Sequence, residues 1–197
     1  MIMAPLVQVV LGTARPGRFS AKVGGWVLDR LRARADLEVE LVDLRDYPLP
    51  PYERSVPPAR SLRDYPSPQI ARWGETVDRA DGFVLVTAEY NHGYPATLKN
   101  AIDHAFCEFR RKPVAFVGYG NVGGARAIEQ LRLVCVELEM APLRHAVHVL
   151  PDLMRPVMQV ESVAPDHFAP LDPRLDQLAT DLAWWASALR SARSSSA

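Results

Sequence analysis

The feature that most constrains this chain is a repeated switch of hydrophobic period. Five short runs, "LVQVVLG" from Leu6, "EVELVDL" from Glu38, "GFVLVT" from Gly82, "PVAFVGYG" from Pro113 and "RHAVHVL" from Arg144, are strand-sized and rich in branched residues. Helical spacing follows each of them. Val23, Val27 and Leu31 recur after the first, and Ile70, Trp73 and Val77 after the second, where Ser67 can cap a helix that Pro68 opens. Leu98, Ile102 and Phe106 follow the third. Ile128, Leu131, Val134, Cys135 and Leu138 follow the fourth, and a last helix spans about Leu175 to Leu189. Strands buried on both faces and alternating with amphipathic helices predict an α/β fold, a parallel sheet with helices on both sides.

Right-handed crossovers leave few windings for such a chain. Five strands and five helices suit the flavodoxin-like order 2-1-3-4-5, a three-layer sandwich. At 197 residues the chain is read as one domain, residues 1–197. Two proline-rich stretches interrupt the alternation, a loop over 46–69 and a segment over 151–173, and residues 191–197 read as a disordered tail.

Charge excludes several function classes. Lys+Arg and Asp+Glu number 23 each, so no net field draws the chain to nucleic acid or anionic lipid. No apolar run reaches membrane-spanning length, and "MIMAPLVQVVLG" lacks the basic opening of a signal peptide. Cys107 and Cys135 are far apart, without a C-x-x-C, and read as small apolar residues in helical surroundings. A cytoplasmic protein is expected.

In the proposed order, ligands bind outside the carboxyl ends of the strands, where the winding reverses. Three loops meet there: "GTARPGRFS" from Gly12, "AEYNHGYPA" from Ala88 and "GYGNVGGAR" from Gly118. The first offers the Thr13 and Ser20 hydroxyls and the Arg15 and Arg18 guanidinium groups before a helix N-terminus, a donor set for a terminal phosphate. A solvated turn with a hydroxyl cap is the alternative. The second groups Glu89, Tyr90, Asn91 and His92, whose backbone and rings can border a planar heterocycle. The third contains Gly118, Gly120 and Gly123 as a literal G-x-G-x-x-G, but Glu137 and Glu139 sit at a helix end and Asp152 is too far along to complete a dinucleotide fingerprint. Either a glycine loop against a flat ring or a plain tight turn accounts for it. No metal site is expected. Glu89 and His92 lack further ligands, His145 and His148 should face opposite sides of a strand, and nothing completes a set around His104. No G-x-S-x-G elbow is present either.

Together, "GTARPGRFS", "AEYNHGYPATLKNAIDH" and "GYGNVGGARAIEQLRLV" resemble the NADPH-dependent FMN reductase family, a flavodoxin-like group that includes quinone, azo-dye and chromate reductases. The resemblance runs from about Val7 to Leu150. It implies that Thr13, Arg15, Arg18 and Ser20 hold the FMN phosphate. Glu89, Tyr90, Asn91 and His92 would run along the isoalloxazine, and Tyr119, Gly120, Asn121 and Gly123 would close on it. Ala88, Gly93 and Gly118 stand where the family often has proline, serine and serine. The implied reaction passes a hydride from NADPH, or NADH, to bound FMN and on to a small acceptor such as a flavin, a quinone or an azo compound. The flavin then carries the chemistry and no catalytic side chain is expected. A flavodoxin-type electron carrier without its own NAD(P)H reaction is the alternative. The family also implies a homodimer or homotetramer, with the proline-rich stretch around Tyr52 and the stripe from Ile128 as contact surfaces.

Overall fold

A computed structural model describes residues 4–195. Its elements are β1 (Leu6–Leu11), α1 (Ser20–Arg32), β2 (Glu38–Asp43), α2 (Pro58–Ser61), α3 (Pro68–Arg79), β3 (Gly82–Ala88), α4 (Ala96–Asp103), β4 (Pro113–Tyr119), α5 (Ala125–Glu137), β5 (Ala141–Val149), α6 (Pro151–Met154) and α7 (Asp172–Ser195). The strands form one sheet in the order β2-β1-β3-β4-β5, and every pairing is parallel. This is the predicted flavodoxin-like arrangement.

The period of two divides each strand between two cores. Val7, Val9 and Leu11, with Val84, Val86, Ala115 and Val117, pack against α1 and α7. Val10, Phe83, Leu85, Val114 and Phe116 pack against α3, α4 and α5. β3 and β4 are buried along their whole length, which is why their sequences show no polar alternation. The cap at α3 forms as read: Ser67 Oγ accepts from the Ile70 amide, and Pro68 opens the helix.

Several expectations are corrected. The stripe from Ile128 is core, because Ile128, Leu131 and Cys135 are fully covered, so it offers no contact surface. α4 ends at Asp103, leaving Phe106 and Cys107 in the following turn, and Cys107 is only half-buried. The stretch 46–69 contains α2 and is strapped to α4. Asn100 Nδ2 donates to the Pro50 carbonyl at 2.9 Å and Asn100 Oδ1 accepts from the Tyr52 amide at 2.9 Å, while His104 Nε2 donates to the same Pro50 carbonyl at 2.9 Å. The stretch 151–173 carries α6 and two short 3-10 turns. Lys22 Nζ holds it over α1 by donating to the carbonyls of Val157, Met158 and Val160. The expected tail is helical through Ser195, since Arg193 on its last turns donates to Asp81 and to the Arg111 carbonyl. Its remaining residues, 196 and 197, lie outside the described residues.

Candidate active site

The loops after β1, β3 and β4 converge at the carboxyl edge of the sheet, and each touches the other two. Arg15 of the first loop lies over the Tyr90 ring of the second, 5.7 Å from its centroid. The Glu89 amide of the second donates to the Tyr119 carbonyl of the third at 3.0 Å. The Tyr119 hydroxyl comes back to Thr13 Oγ1 at 3.5 Å.

The first loop starts under tight constraint. The Gly12 amide donates to the Val86 carbonyl at 2.9 Å, and a Cβ on Gly12 would meet that carbonyl and Leu98 at 3.0 Å. Thr13 and Ser20 are buried and share a hydrogen bond of 2.6 Å between their hydroxyls. Among the described residues no side chain caps α1, and since the Lys22 amide already donates to the Phe19 carbonyl at 3.0 Å, the donors left over are those of Ser20 and Ala21. Arg15 is exposed and makes no ion pair among the described residues. Arg18 behaves otherwise. It is 5% exposed, it grips both oxygens of Asp43 at the end of β2, and Nη1 also donates to the Thr13 carbonyl. Burial pushes the Asp43 carboxyl up, but hydrogen bonds from Arg18 and Arg45 outweigh it and hold the group at about 2. The structure therefore brings Thr13, Arg15 and Ser20 to one edge, the two hydroxyls buried against each other and Arg15 exposed beside them, and commits Arg18 to an internal pair.

The second loop is a miniature hairpin. Tyr90 and Gly93 exchange backbone hydrogen bonds of 2.8 and 3.0 Å, and Asn91 and His92 between them have φ values of 50° and 69°. Two consecutive left-handed residues are what a type I′ turn requires, and asparagine tolerates that region better than most side chains. Tyr90, Asn91 and His92 are all exposed at its tip. α5 holds the hairpin at two points. Gln130 Nε2 donates to the His92 carbonyl at 2.8 Å, and the Glu89 carboxylate takes the Arg126 amide at 3.1 Å and Nε at 2.6 Å. Glu89 therefore faces α5 with a side chain 4% exposed, while Tyr90, Asn91 and His92 after it face outward.

In the third loop the glycines serve packing. A Cβ on Gly123 would lie 2.6 Å from His148 Cβ, one on Gly124 would lie 2.8 Å from Gly118 Cα and the Tyr119 amide, and one on Gly118 would lie 2.6 Å from the Gly123 carbonyl. Gly123 and Gly124 also hold φ values of 63° and 73°. Gly120, at φ 145°, presses against Glu89, and Asn121 is exposed beside it. Of the two readings left open for G-x-G-x-x-G, the tight turn accounts for Gly118 and Gly123. Tyr119 departs from expectation. Its ring is 4% exposed and packs edge-on against Phe19 at 5.1 Å, and burial pushes its hydroxyl pKa up. Only its backbone and hydroxyl reach the loop cluster.

Asp43 and Gln130 are the supporting residues that sequence reasoning missed, and neither left a local signal, because each meets its partner far along the chain. Among the described residues, no three or more His, Cys, Asp or Glu side chains form a group able to hold a metal ion. His145 pairs with Asp181 at 2.5 Å and His148 with the Gly123 carbonyl at 2.9 Å, on opposite sides of β5 as expected.

Comparison with known proteins adds the following. A family model described as NADPH-dependent FMN reductase matches residues 5–152. An NAD(P)H-dependent FMN reductase of Schizosaccharomyces pombe is 36% identical over 138 residues, covering 70% of this chain and 69% of that one. A quinone reductase of Escherichia coli is 35% identical over 146 residues, covering 70% of this chain and 73% of that one. Among solved structures, the flavoenzyme NAD(P)H:(acceptor) oxidoreductase FerB of Paracoccus denitrificans has the same fold. Its TM-score is 0.71 at 23% identity, covering 93% of this chain and 98% of that one.

Proposed function

The chain belongs to the NADPH-dependent FMN reductase family, and from that premise we propose that it is an FMN-dependent oxidoreductase. It takes a hydride from NAD(P)H and passes reducing equivalents to a small acceptor: a flavin, a quinone or an azo compound. The observation that carries this reading is the mutual contact of three loops at one sheet edge, with the exposed guanidinium of Arg15 in the first. Bound FMN supplies the hydride acceptor and electron donor, so no side-chain acid or base has to do that work.

This chain's own residues bind and orient. The uncapped start of α1, the Thr13 and Ser20 hydroxyls and the free guanidinium of Arg15 form a donor set suited to a phosphate carrying nearly two charges. The Tyr90-Asn91-His92 turn and the backbone of Gly120 and Asn121 border the flat ring, with Gly120 keeping that wall free of a side chain. Glu89 fixes the two walls relative to each other through Arg126. Preorganised walls matter because every loop ordered on binding costs affinity.

The chain is further assigned a homodimer or homotetramer with the exposed part of the proline-rich stretch around Tyr52 as contact surface, and residence in the cytoplasm. No helix among the described residues is long and apolar enough to cross a membrane. Light scattering on the full chain tests the first and fractionation of cells the second.

The visible absorption spectrum of the purified protein tests the main reading. It should show a flavin, released intact on heating and identified as FMN, and NADPH should then be consumed with a soluble quinone. A colourless protein that takes up no added FMN overturns the enzyme. A flavoprotein that does not oxidise NADPH is an electron carrier instead.

A further inference from the structure

Arg18 carries the motif position expected to grasp phosphate, yet its geometry serves another end. Both terminal nitrogens are committed to Asp43, and Nη1 is shared with the Thr13 carbonyl. Asp43 is the last residue of β2 and stands in register with Leu11, the last of β1, so the pair bridges two strand ends exactly where the first loop departs. The carboxylate is saturated, because the Arg45 amide at 2.9 Å and the Arg45 guanidinium share it. The chain of contacts continues outward from Thr13, whose hydroxyl meets Ser20 Oγ at 2.6 Å at the start of α1.

We propose that Asp43 is a positioning residue for the cofactor phosphate: through Arg18 it fixes the backbone of Thr13, and with it the Thr13 and Ser20 hydroxyls at the uncapped helix. The inference rests on the flavin reading above, and it divides the two arginines of the motif. A guanidinium with both forks on a carboxylate has little field left for a dianion, so Arg15 supplies the mobile charge and Arg18 the rigid frame. The depressed carboxyl of Asp43 keeps that frame intact throughout the neutral and mildly acid range.

The rival geometry has Arg18 itself on the phosphate, with Asp43 merely holding it back. The two differ in sign. If Asp43 frames the cradle, Asp43→Asn loosens FMN; if Asp43 restrains a direct ligand, the same change frees Arg18 and tightens FMN. Riboflavin, which has the ring without the phosphate, separates either effect from a general loosening of the site.

The experiment is a fluorescence-quenching titration of the full-length apoprotein with FMN and with riboflavin, for wild type, Asp43→Asn and Arg18→Lys, beside thermal melts of each apoprotein. The expected result is a loss of FMN affinity of about 10- to 100-fold in both variants, the range for one or two charge-assisted hydrogen bonds, with riboflavin affinity unchanged. Lysine keeps the charge but cannot fork, so unchanged FMN binding in Arg18→Lys would also overturn the inference; if Asp43→Asn does not fold, Asp43→Ser, which likewise removes the charge, takes its place with the same opposite signs. Unchanged or tighter FMN binding in Asp43→Asn overturns the inference, and so does an equal loss for both ligands. A wild-type protein that binds no FMN defeats the functional reading first, and this inference falls with it.

Discussion

At the amino edge of the sheet, Asp81 accepts the Leu6 amide at 3.0 Å and Arg193 at 2.7 Å, with Arg190 at 3.4 Å. Arg110 pairs there with Glu139 at 2.8 Å, and Lys112 donates to the carbonyls of Val77 and Asp78. At the carboxyl edge, among the described residues, Arg15 has no anion and α1 has no side-chain cap, and the hairpin turns three consecutive side chains outward. The amino edge is thus closed by ion pairs, whereas the carboxyl edge keeps an open guanidinium beside its own internal pairs, Arg18 with Asp43 and Arg126 with Glu89. Closed pairs hold α7 and the sheet together; the open guanidinium awaits a ligand. Stability and binding are accordingly separable by position, and substitutions at the two edges should fail in different ways.

The largest effect is expected where the carboxyl edge also relies on backbone geometry. Gly124→Val places branched carbons where even a Cβ would lie 2.8 Å from Gly118 Cα and from the Tyr119 amide, at φ 73°. Overpacking together with a left-handed β-branched residue should cost about 3 kcal/mol or more. A melting temperature roughly 6 to 12 °C lower would register it in a chain of this size. A melt within 2 °C of wild type would show that the third loop yields easily and has no fixed wall to offer.

Two intermediate predictions form a dissociation. Asp81→Asn at the amino edge leaves two arginines sharing a neutral partner and should remove about 2 kcal/mol of stability, read by urea unfolding, with FMN affinity unchanged. Glu89→Gln at the carboxyl edge should do the opposite. It should weaken FMN binding by roughly 10-fold, in line with the loss of a charge-assisted contact, while the melt barely moves because Arg126 is partly exposed and can be solvated. If Glu89→Gln unfolds the protein and spares FMN binding, the division between the edges is wrong.

The difference between the edges also explains what the sequence made legible. Strand order and both cores follow from apolar spacing, and Ser67 before Pro68 marks a cap through local chemistry alone. The three loops could be placed because sheet topology fixes where a polar burst after a buried strand must emerge. What could not be read is which charge meets which. Arg18 reaches Asp43 across 25 positions and Glu89 reaches Arg126 across 37, and neither spacing has a period. Tyr119 was assigned to the ring by motif, but strand alternation turns it inward beside Val117 and Ala115, toward Phe19. The end of α7 was misread for a related reason. "SARSSSA" lacks helix-forming character of its own, and Arg193 reaching Asp81 across 112 positions supplies what local propensity does not.

The smallest prediction concerns the flaw in the amino edge. Lys112 is 4% exposed, and burial pushes its ammonium down to about 8, against the attraction of Asp78 and Asp81. A lysine depressed in the folded state is held charged at a cost below that value. The unfolded chain therefore binds more protons between about pH 8 and 10.4, and stability should rise with pH across that window, by about 1 kcal/mol from pH 8 to 9. Cys135 opposes this. Burial pushes its thiol up to about 12, so the unfolded chain loses that proton first and stability falls as pH passes the ordinary thiol value. The thiol offsets only part of the rise between pH 8 and 9, about 0.4 kcal/mol, so wild type should rise by roughly half the full amount. In a Cys135→Ala background the full rise should emerge in urea unfolding at pH 8 and pH 9, and adding Lys112→Gln should abolish it. A flat Cys135→Ala profile would mean that the two carbonyls hold the Lys112 ammonium at no cost, and that the amino edge is closed without exception.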